Sequence, residues 1–448
     1  MSDLRTWLAE LAGRGDLGVL ASPVDPDQEV AAVLEAADGR RAVRFDAVRG
    51  ARFPLVGNTM IGRDHLGPAL GCATRDAADR MADALDRPRA CVEVADAPVL
   101  AERLTGEHLL SALPLTRQHE HDAGMYLTSA LLSVRDPSSG TTNLSINRML
   151  AVGERELRAL LLPGRLRAIF TRAEAEGRDL DVGIVVGVHP ALLLASQSPP
   201  DRDLDDLEVA SALLPSPLRV TRTPTVDAVV PADAEFVLEG RFRAGRRAAE
   251  GPFGEFPRTY GPGGPAPVIE LEAAWHRTDA LFQTILSGGR EHFLAGGLPR
   301  EALLVRALRR AGLDVAGLRL PEHGSCRFDA AVALRDPAPG AATTAMLTLF
   351  TAAATVKTVT VVDDDVDVFD DEQIGWAVAT RVQADRDLLV VPRAKGSSLD
   401  PSARGGTTAK LGIDATVPAA ERDAHRQMRV APPDAERLRS HLLELGLA

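Results

Sequence analysis

The segment Glu250-Gly-Pro-Phe-Gly-Glu255 places two carboxylates five positions apart around a turn-forming sequence. On a regular strand, residues separated by an odd number of positions face opposite sides of the sheet. Glycine adopts backbone angles that other residues avoid and proline fixes one dihedral angle, so this turn allows both acids to reach one cavity. Burial and like-charge repulsion then separate their proton affinities, which suits acid–base chemistry. As an isolated short motif, the same segment also fits a hairpin turn with two solvated acids.

Other segments accompany this turn in a fixed order along the chain. They are Asn143-Leu-Ser-Ile-Asn-Arg148, Val230-Pro-Ala-Asp-Ala-Glu-Phe-Val-Leu-Glu-Gly240, Val356 to Asp370, Trp376-Ala-Val-Ala-Thr-Arg381 and Lys410-Leu-Gly-Ile-Asp-Ala-Thr416. Together with the Glu250–Glu255 turn they resemble the motifs of the UbiD-like decarboxylase family. Several blocks in the same order are more specific than any one of them.

The resemblance implies three catalytic residues. Arg148 matches the family arginine, and a planar guanidinium suits the role because it binds a substrate carboxylate through two parallel hydrogen bonds. Glu250 and Glu255 match the two family acids, so a network of acid, arginine and acid is implied. Glu255 is expected to donate the proton and Glu250 to hold Arg148. Without the accompanying blocks, Arg148 would fit a surface salt bridge equally well.

The resemblance also implies prenylated FMN as the cofactor, supplied by a flavin prenyltransferase. The implied reaction is the non-oxidative, reversible decarboxylation of an α,β-unsaturated or (hetero)aromatic acid, a step whose electron pair no side chain can absorb. The residues implied to bind the cofactor are Asn143, Ser145, Ile146, Arg148, Arg165, Glu208 and Lys410.

The implied metal site departs from the family pattern. Asn143 and Glu208 match two of the ligands, but Leu166 stands where the family has a histidine. The divalent metal (Mn or Mg) and the K+ or Na+ that accompany the cofactor phosphate are therefore in question. Oxygen ligands alone suit hard cations, so we expect a hard cation or no divalent metal. Arg165 or Arg167 is an alternative direct partner of the phosphate.

Composition limits the other classes of function. The chain has 448 residues, a net charge of -12 and a 45% hydrophobic share. These values favour a soluble protein with two or three domains and argue against nucleic acid or an anionic membrane as a partner. Cys72, Cys91 and Cys326 are few and scattered, which is typical of reduced thiols. With no apolar run of signal-peptide or transmembrane length, the expected location is cytoplasmic.

The expected fold class is mixed α/β and β (α+β), in three domains. An N-terminal α/β domain is predicted over 1–115, a flavin-binding split β-barrel over 116–298 and a C-terminal α/β domain over 299–448. The barrel is implied by the resemblance and agrees with the density of strands between about 124 and 288. The tail from Ala431 is amphipathic, with apolar Leu438, Leu442, Leu443 and Leu445. The resemblance implies that the C-terminal domain forms a homodimer or higher homo-oligomer, and packing of the tail on its own domain is the alternative.

Individual elements are predicted from hydrophobic periodicity. Helices are expected over 2–13, 75–85 and 301–310, and over 154–176 with a break at Pro163. Strands are expected over 42–45, 130–134, 181–186, 235–238, 268–273, 345–350 and 359–362.

His119 and His121 form a separate motif, flanked by Glu120 and Asp122. On a strand the two imidazoles would share one face and both acids the other, and no third ligand follows at the spacing of a metal site. A metal role is therefore disfavoured.

Two rival functions remain for the whole chain. One is an oxidoreductase with ordinary FMN on the same barrel, and the other is a non-catalytic flavin-binding subunit with a degenerate metal site.

Overall fold

The computed structural model describes residues 2–105, 109–198, 204–261, 263–422, 424, 425, 428, 430 and 434–446. The predicted mixed α/β class is confirmed, with a curled half-barrel sheet in the middle of the chain. The predicted start of the tail, Ala431, lies outside the described residues. The boundaries 1–115, 116–298 and 299–448 stay predictions.

The N-terminal part combines short strands with helices. Its elements are α1 (Leu4–Gly13), β1 (Leu17–Leu20), α2 (Glu29–Ala37), β2 (Ala42–Phe45), β3 (Leu55–Gly57), α3 (Leu66–Leu70), α4 (Ala77–Asp86), β4 (Val92–Glu93) and β5 (Glu102–Arg103).

Helix α1 shows how sequence fixes a local element here. Asp3 accepts a hydrogen bond from the backbone N–H of Thr6 at 2.8 Å, while the Thr6 hydroxyl accepts from the Asp3 N–H at 3.0 Å, which is a capping box. The predicted apolar face, with Leu4, Leu8 and Leu11, is buried. This prediction and those for β2 and α4 are confirmed.

The middle of the chain supplies most of the strands. Its elements are β6 (Tyr126–Leu127), β7 (Leu131–Arg135), β8 (Thr142–Ile146), β9 (Met149–Val152), β10 (Glu156–Ala159), α5 (Arg165–Ala175), β11 (Leu180–Val186), α6 (Pro190–Ala195), α7 (Asp206–Leu213), β12 (Arg219–Arg222), β13 (Val229–Pro231), β14 (Phe236–Glu250), β15 (Phe253–Gly254), β16 (Tyr260–Gly261), β17 (Gly264–His276) and β18 (Phe282–Gln283).

Nine strands form the central sheet in the order β6-β9-β10-β17-β14-β11-β7-β8, with β5 also paired to β17. In the described chain its end strands, β6 and β8, do not pair with each other, so the sheet is an open half-barrel. Closure of the kind expected for a split barrel stays a prediction. β18 leaves this sheet and pairs in parallel with β3, so the β1-β2-β3-β18 sheet joins the N-terminal part to the middle of the chain.

The longest antiparallel pair, β14 with β17, carries the Glu250–Glu255 turn. Phe236 and Leu238 on β14 pack into one core, whereas Val237 between them packs into another. This alternation follows from the two-residue period of a strand, and it explains why the run is apolar at consecutive positions. Glu250, the last residue of β14, is paired with Gly264 at the start of β17.

One predicted helix in the middle of the chain is wrong in its first half. The stretch 154–176 contains strand β10, and only the part after Pro163 is helical, as α5. Residues 156–158 pair with both β9 and β17, and this pairing overrides the local helical pattern.

The C-terminal part contains a five-stranded sheet in the order β19-β20-β21-β23-β22. Its elements are α8 (Arg290–Arg310), β19 (Val315–Arg319), β20 (Asp329–Leu334), α9 (Ala341–Ala352), β21 (Thr358–Asp363), α10 (Asp371–Arg381), β22 (Leu388–Lys395), β23 (Thr407–Ala415) and α11 (Ala435–Glu444).

Two predictions for this part are corrected. The stretch 345–350, predicted as a strand, lies within helix α9, and the predicted helix 301–310 begins earlier, as α8. Residues 345, 346, 349 and 350 are buried, and this i, i+1, i+4, i+5 pattern belongs to one helix face. The predicted strand 359–362 is confirmed as β21. Within the described residues, no helix is both long and apolar enough to cross a membrane.

Candidate active site

Arg148 lies between the two acids of the Glu250–Glu255 turn. It follows β8 by two positions and precedes β9, while Glu250 ends β14 and Glu255 follows β15. Arg148 Nε and Nη2 lie 3.0 and 3.1 Å from the two carboxylate oxygens of Glu250. Arg148 Nη1 contacts Glu255 Oε1. The side chains of Arg148, Glu250 and Glu255 are 9%, 1% and 10% exposed, so all three are shielded from water.

Aromatic residues fix this cluster from one side. The Tyr126 hydroxyl donates to Glu250 Oε1 at 3.1 Å, and the Tyr126 and Phe253 rings lie 4.4 Å apart between centroids. The Arg148 guanidinium stacks on the Phe253 ring, 5.1 Å from its centre. Burial and the adjacent Glu250 carboxylate raise the pKa of Tyr126, so it stays a neutral donor. Tyr126 and Arg148 thus hold Glu250 from two sides and keep its carboxylate in contact with Arg148.

The inner cavity, of about 180 Å³, opens beside this cluster. Arg148, Glu255 and Phe253 line it, together with apolar side chains such as Ile146, Ile285 and Phe256. It also contains His292, Arg300 and Arg327, which the sequence analysis did not single out. Apolar walls with a few convergent polar groups are typical of small-molecule sites.

Arg300 and Arg327 face the same cavity without a carboxylate partner in the described part of the chain. Arg327 is 4% exposed and donates to the Phe293 and Cys326 carbonyls at 3.0 and 3.1 Å. Burial lowers the pKa of Arg300 to about 10, and burial together with Arg300 lowers that of Arg327. Buried charges are normally paired, so these two guanidinium groups indicate a site for an anion.

Gly296 on α8 makes room for this arginine pair. A Cβ at this position would lie 2.6 Å from Arg327 Cζ and 2.8 Å from Arg300 Nη1. Both guanidinium groups therefore approach the same point on the helix, although their residues are far apart in sequence. The neighbouring His292 accepts a hydrogen bond at Nδ1 from the Gly288 N–H at 3.2 Å. Burial lowers the pKa of His292 to about 3, so the ring is neutral and its hydrogen is on Nε2.

A second cavity, the tail cavity, of about 370 Å³, adjoins the inner one. Ile146, Asn147, Leu162, Gln197 and Arg300 line both. Four residues predicted to bind the cofactor lie along the tail cavity, namely Asn143, Ser145, Ile146 and Arg165. Asn143 Oδ1, Ser145 Oγ and Asn147 Oδ1 are buried without a hydrogen-bond partner among the residues that the structure describes. Such atoms normally bind something, so this wall fits a polar ligand such as the ribityl phosphate of a flavin.

The acid beside Asn143 is Asp206, and Glu208 is not placed there. Asp206 Oδ2 accepts from Asn143 Nδ2 at 2.9 Å and from the Leu144 N–H at 2.8 Å. Arg165 Nη1 lies 3.5 Å from Asp206 Oδ1. Glu208 lies on the other side of α7, near the Cys91 thiol, whose pKa burial and the neighbouring acids raise. Residues two apart on a helix differ by about 200° in direction, so only one of these acids can face Asn143.

Lys410 and Leu166 complete the predicted set. Lys410 lies on β23, where its Nζ donates to the Ala354 and Val356 carbonyls at 2.8 and 2.6 Å. It does not line the inner or the tail cavity. Leu166, in the first turn of α5, does line the tail cavity and gives it an apolar wall.

A divalent metal of the imidazole-binding kind does not fit this wall. Within the described residues, no group of three or more His, Cys, Asp or Glu side chains is placed to hold a metal. Asn143 Oδ1 and the Asp206 carboxylate supply oxygen only, which fits a hard cation. His119 and His121 lie outside this region, in a turn where both rings contact Tyr260.

No motif in the sequence marks His292, Arg300 or Arg327 as a site residue. His292 and Arg300 are on the first half of α8, and the predicted helix began only at 301. Arg327 lies in a loop between β19 and β20 and has no periodic signal around it. The adjacent Gly296-Gly297 pair inside a helical run was the available clue, because glycine there costs helix stability unless something approaches closely.

Three family models match the chain in order. They are described as the N-terminal domain, the Rift-related domain and the C-terminal domain of 3-octaprenyl-4-hydroxybenzoate carboxy-lyase (UbiD), and they match residues 8–85, 91–290 and 293–415. Among curated relatives, anhydromevalonate phosphate decarboxylase from Methanothermobacter thermautotrophicus is 36% identical, over 90% of this chain and 96% of its own length.

Solved structures give the same result. The UbiD-class enzyme HmfF from Pelotomaculum thermopropionicum, in complex with FMN, is 41% identical with a TM-score of 0.93, over 97% of this chain and 98% of its own. An evolved dimeric form of that enzyme, in complex with prFMN, is 38% identical with a TM-score of 0.90, over 98% of each chain. The chain therefore belongs to the UbiD family and is a carboxy-lyase of that class.

Proposed function

We propose that this protein carries out the non-oxidative, reversible decarboxylation of an α,β-unsaturated or (hetero)aromatic acid with prenylated FMN. The observation that carries the proposal is Arg148, held between Glu250 and Glu255 at the wall of an apolar cavity. The FMN and prFMN bound by the two HmfF structures support the choice of cofactor. The partnerless polar atoms of the tail cavity support the position of its phosphate-bearing chain.

Arg148 binds the substrate carboxylate and orients it. Its guanidinium has five N–H donors, and Glu250 occupies those on Nε and one on Nη2, so donors remain for a second carboxylate. When bound, the prenylated flavin supplies an electrophilic ring that takes up the electron pair left by departing CO2. Glu255 delivers a proton to the carbon that loses CO2, and Glu250 keeps Arg148 in place. The apolar walls exclude water around the leaving group.

The acid carries a second anionic group, held by Arg300 and Arg327. Both guanidinium groups face the inner cavity, approach one another at Gly296 and have no carboxylate partner in the described chain. At about 180 Å³ the cavity suits one small ring or short chain. The relative named anhydromevalonate phosphate decarboxylase has, by its name, a substrate with a phosphate besides its carboxylate. We therefore expect a small unsaturated dicarboxylic acid or a phosphorylated unsaturated acid.

A hard cation such as Mg2+, K+ or Na+ is proposed at Asn143 and Asp206, next to the cofactor phosphate. Asp206 replaces Glu208 as the acid in this proposal because it contacts Asn143. Arg165 supplies a further positive charge at the same wall. A flavin prenyltransferase is proposed as the supplier of the cofactor.

A homodimer or larger homo-oligomer is proposed as the assembly. Leu438, Leu443 and Leu445 on and after α11 are exposed, which favours contact with a second copy over packing on the same domain.

The test is co-expression with a flavin prenyltransferase, followed by the absorbance spectrum and mass of the bound flavin. The loaded protein is then assayed for CO2 release with a panel of unsaturated and (hetero)aromatic monoacids, diacids and phosphorylated acids. We expect prenylated FMN and turnover that requires the second anion. Ordinary FMN with turnover of a redox substrate would favour the oxidoreductase. Bound flavin without turnover of any acid would favour a non-catalytic subunit.

A further inference from the structure

Glu255 lines a second, larger space, the outer cavity, of about 680 Å³. The outer and inner cavities share two lining residues, Glu255 and Ser287. The outer cavity is rich in charged side chains that are wholly or partly exposed, namely Glu35, Asp38, Glu120, Arg258 and Arg290. The inner cavity, lined by apolar side chains besides Arg148, His292, Arg300 and Arg327, is the proposed substrate site, so Glu255 stands between that site and a space lined by exposed charged side chains.

Asp122 fixes the backbone immediately before Glu255. Its side chain is 0% exposed, and its Oδ1 accepts from the Gly254 N–H at 2.9 Å. Its Oδ2 accepts from the backbone N–H groups of Gln118 and His119 at 3.2 and 2.9 Å. On the other side of the same residue, the Gly254 carbonyl accepts from Ser287 Oγ at 2.5 Å. Gly254 is thus held at both of its backbone groups.

His119 covers this arrangement from the outer cavity. Its Nδ1 lies 3.4 Å from Asp122 Oδ2, and its side chain is 34% exposed. A Cβ at position 254 would lie 2.5 Å from His119 Nδ1, so glycine is required for this close approach. Burial alone would raise the pKa of Asp122, but His119 and the amide donors lower it below its usual value. Asp122 is therefore ionised at neutral pH.

We propose that Glu255 regains its proton from water in the outer cavity, and that Asp122, backed by His119, is a positioning residue that keeps Glu255 in the wall between the two cavities. The proposal rests on the proposed function, in which Glu255 is the proton donor. Asp122 and His119 themselves contact neither the substrate site nor the inner cavity.

The proton balance requires a proton source for Glu255 in every turnover. Decarboxylation turns one carboxylate and one proton into CO2 and a new C–H bond. Glu255 loses its proton to carbon in each turnover and must take another from water before the next. Water entering through the inner cavity would have to pass the bound acid and the apolar walls, whereas the outer cavity reaches Glu255 without crossing them.

The first experiment narrows the outer cavity by placing a larger side chain on helix α2. Ala32 lines this cavity and is exposed, while Ala36, on the same helix and also exposed, does not line it. Ala32→Trp is compared with Ala36→Trp in D2O, using the acid turned over in the panel. We expect Ala32→Trp to slow deuterium incorporation into the decarboxylated product by about tenfold, with KM unchanged and a larger solvent isotope effect on kcat. Equal rates of deuterium incorporation in Ala32→Trp and Ala36→Trp would rule out the outer cavity as the source of the proton.

The second experiment removes the positioning residue. Asp122→Ala should raise amide hydrogen exchange across residues 253–261 of the as-purified protein about tenfold, the effect of losing one buried hydrogen bond. It should also lower kcat while leaving KM within about twofold, because the substrate-binding arginines are untouched. Asp122→Asn keeps an acceptor for the Gly254 N–H but turns an NH2 donor toward the Gln118 and His119 N–H groups, so it should restore only part of the protection. Glu10→Ala, an exposed acid on α1 that lines neither cavity, is the control.

The two experiments separate this inference from the proposed function. If no acid is turned over, the proposed function fails, but the exchange measurement still decides whether Asp122 holds the turn. If an acid is turned over and Asp122→Ala matches Glu10→Ala in both exchange and kcat, Asp122 is not a positioning residue.

Discussion

Asn143 Nδ2 donates a hydrogen bond to Asp206 Oδ2 at 2.9 Å, across the contact between β8 and α7. The same Asp206 oxygen accepts from the Leu144 N–H, so the carboxylate is tied to the strand that leads to Arg148. Burial raises the pKa of Asp206 to about 7, against the opposing effect of Arg165. Because these hydrogen bonds hold the Asp206 carboxylate, a cation or a cofactor phosphate at this wall would bind next to an acid whose position is already fixed.

The first prediction concerns the cation at this wall. Leu166→His should increase the affinity for manganese relative to magnesium, because it adds a nitrogen ligand to an oxygen-only set. In the wild type we expect a weakly held hard cation. Metal content after dialysis and the occupancy of the flavin measure both effects.

A matched pair on α7 tests which acid takes part. Asp206→Asn should lower flavin occupancy, whereas Glu208→Gln should leave it unchanged. Tightly held, stoichiometric manganese in the wild type would contradict the oxygen-only site.

The second prediction concerns the proton donor. Glu255→Gln preserves the shape of the side chain but has no acidic proton, so it should lower turnover by at least about a hundredfold with the flavin still bound. Deuterium exchange at the product carbon should stop as well. Glu10→Gln, at an exposed position that lines neither cavity, is the control and should behave as the wild type. Turnover of Glu255→Gln within a few-fold of the wild type would assign the proton to another group.

The third prediction concerns the shape of the arginine. Arg148→Lys keeps the charge but loses the planar fork that bonds both oxygens of Glu250. We expect most of the activity to disappear, with kcat falling more than KM rises, because the orientation of the carboxylate is lost. Steady-state kinetics of the loaded variant provide the test. Kinetics close to those of the wild type would show that the two parallel hydrogen bonds of the Arg148 guanidinium are not needed for activity.

The fourth prediction concerns the arginine pair of the inner cavity. Arg327→Met removes one buried charge at similar length, so KM for the doubly anionic acid should rise about tenfold or more, the usual effect of losing a charge-assisted hydrogen bond. The same variant should be more stable without substrate, because a buried charge with no carboxylate partner is costly. Thermal unfolding and KM are measured together, with Arg178→Met, an exposed position, as control. A lower unfolding temperature combined with an unchanged KM would refute the anion site.

The fifth prediction concerns acid stability. Burial lowers the pKa of His189 to about 4, and its Nδ1 accepts from the Ala191 N–H at 3.2 Å to cap α6. Between pH 6.5 and 4 the unfolded chain binds a proton at this residue and the folded chain does not, so stability falls as the pH falls. His189→Asn keeps an acceptor for the cap but does not titrate. Relative to this variant, the free energy of unfolding of the wild type should fall by up to roughly 3 kcal/mol between pH 6.5 and 4. If the difference in the free energy of unfolding between the wild type and His189→Asn did not change with pH, the lowered pKa of His189 would be contradicted.

Sequence by itself determined the elements whose signals are local. The capping box at Asp3 and the apolar face of α1 specify that helix without reference to the rest of the chain. The order of the motif blocks identified the family, and it selected Arg148, Glu250 and Glu255 before any distance was known. These residues could be chosen because each belongs to a short, characteristic segment.

Tertiary structure decided what depends on how elements pack. The motif match selected Glu208, and only the docking of α7 against β8 shows that Asp206 is the acid that meets Asn143. Residues 345–350 are as apolar as a strand, but they form a helix because one side of it packs into the core beside β21.

The arginine pair is the plainest case of this dependence. Arg300 and Arg327 lie on different elements, and they approach one another because Gly296 leaves space on α8 for both guanidinium groups. Neither residue has a local pattern that marks it. The lowering of the pKa of Arg327 by burial and by Arg300 arises only when the fold removes both side chains from water and places them in one cavity.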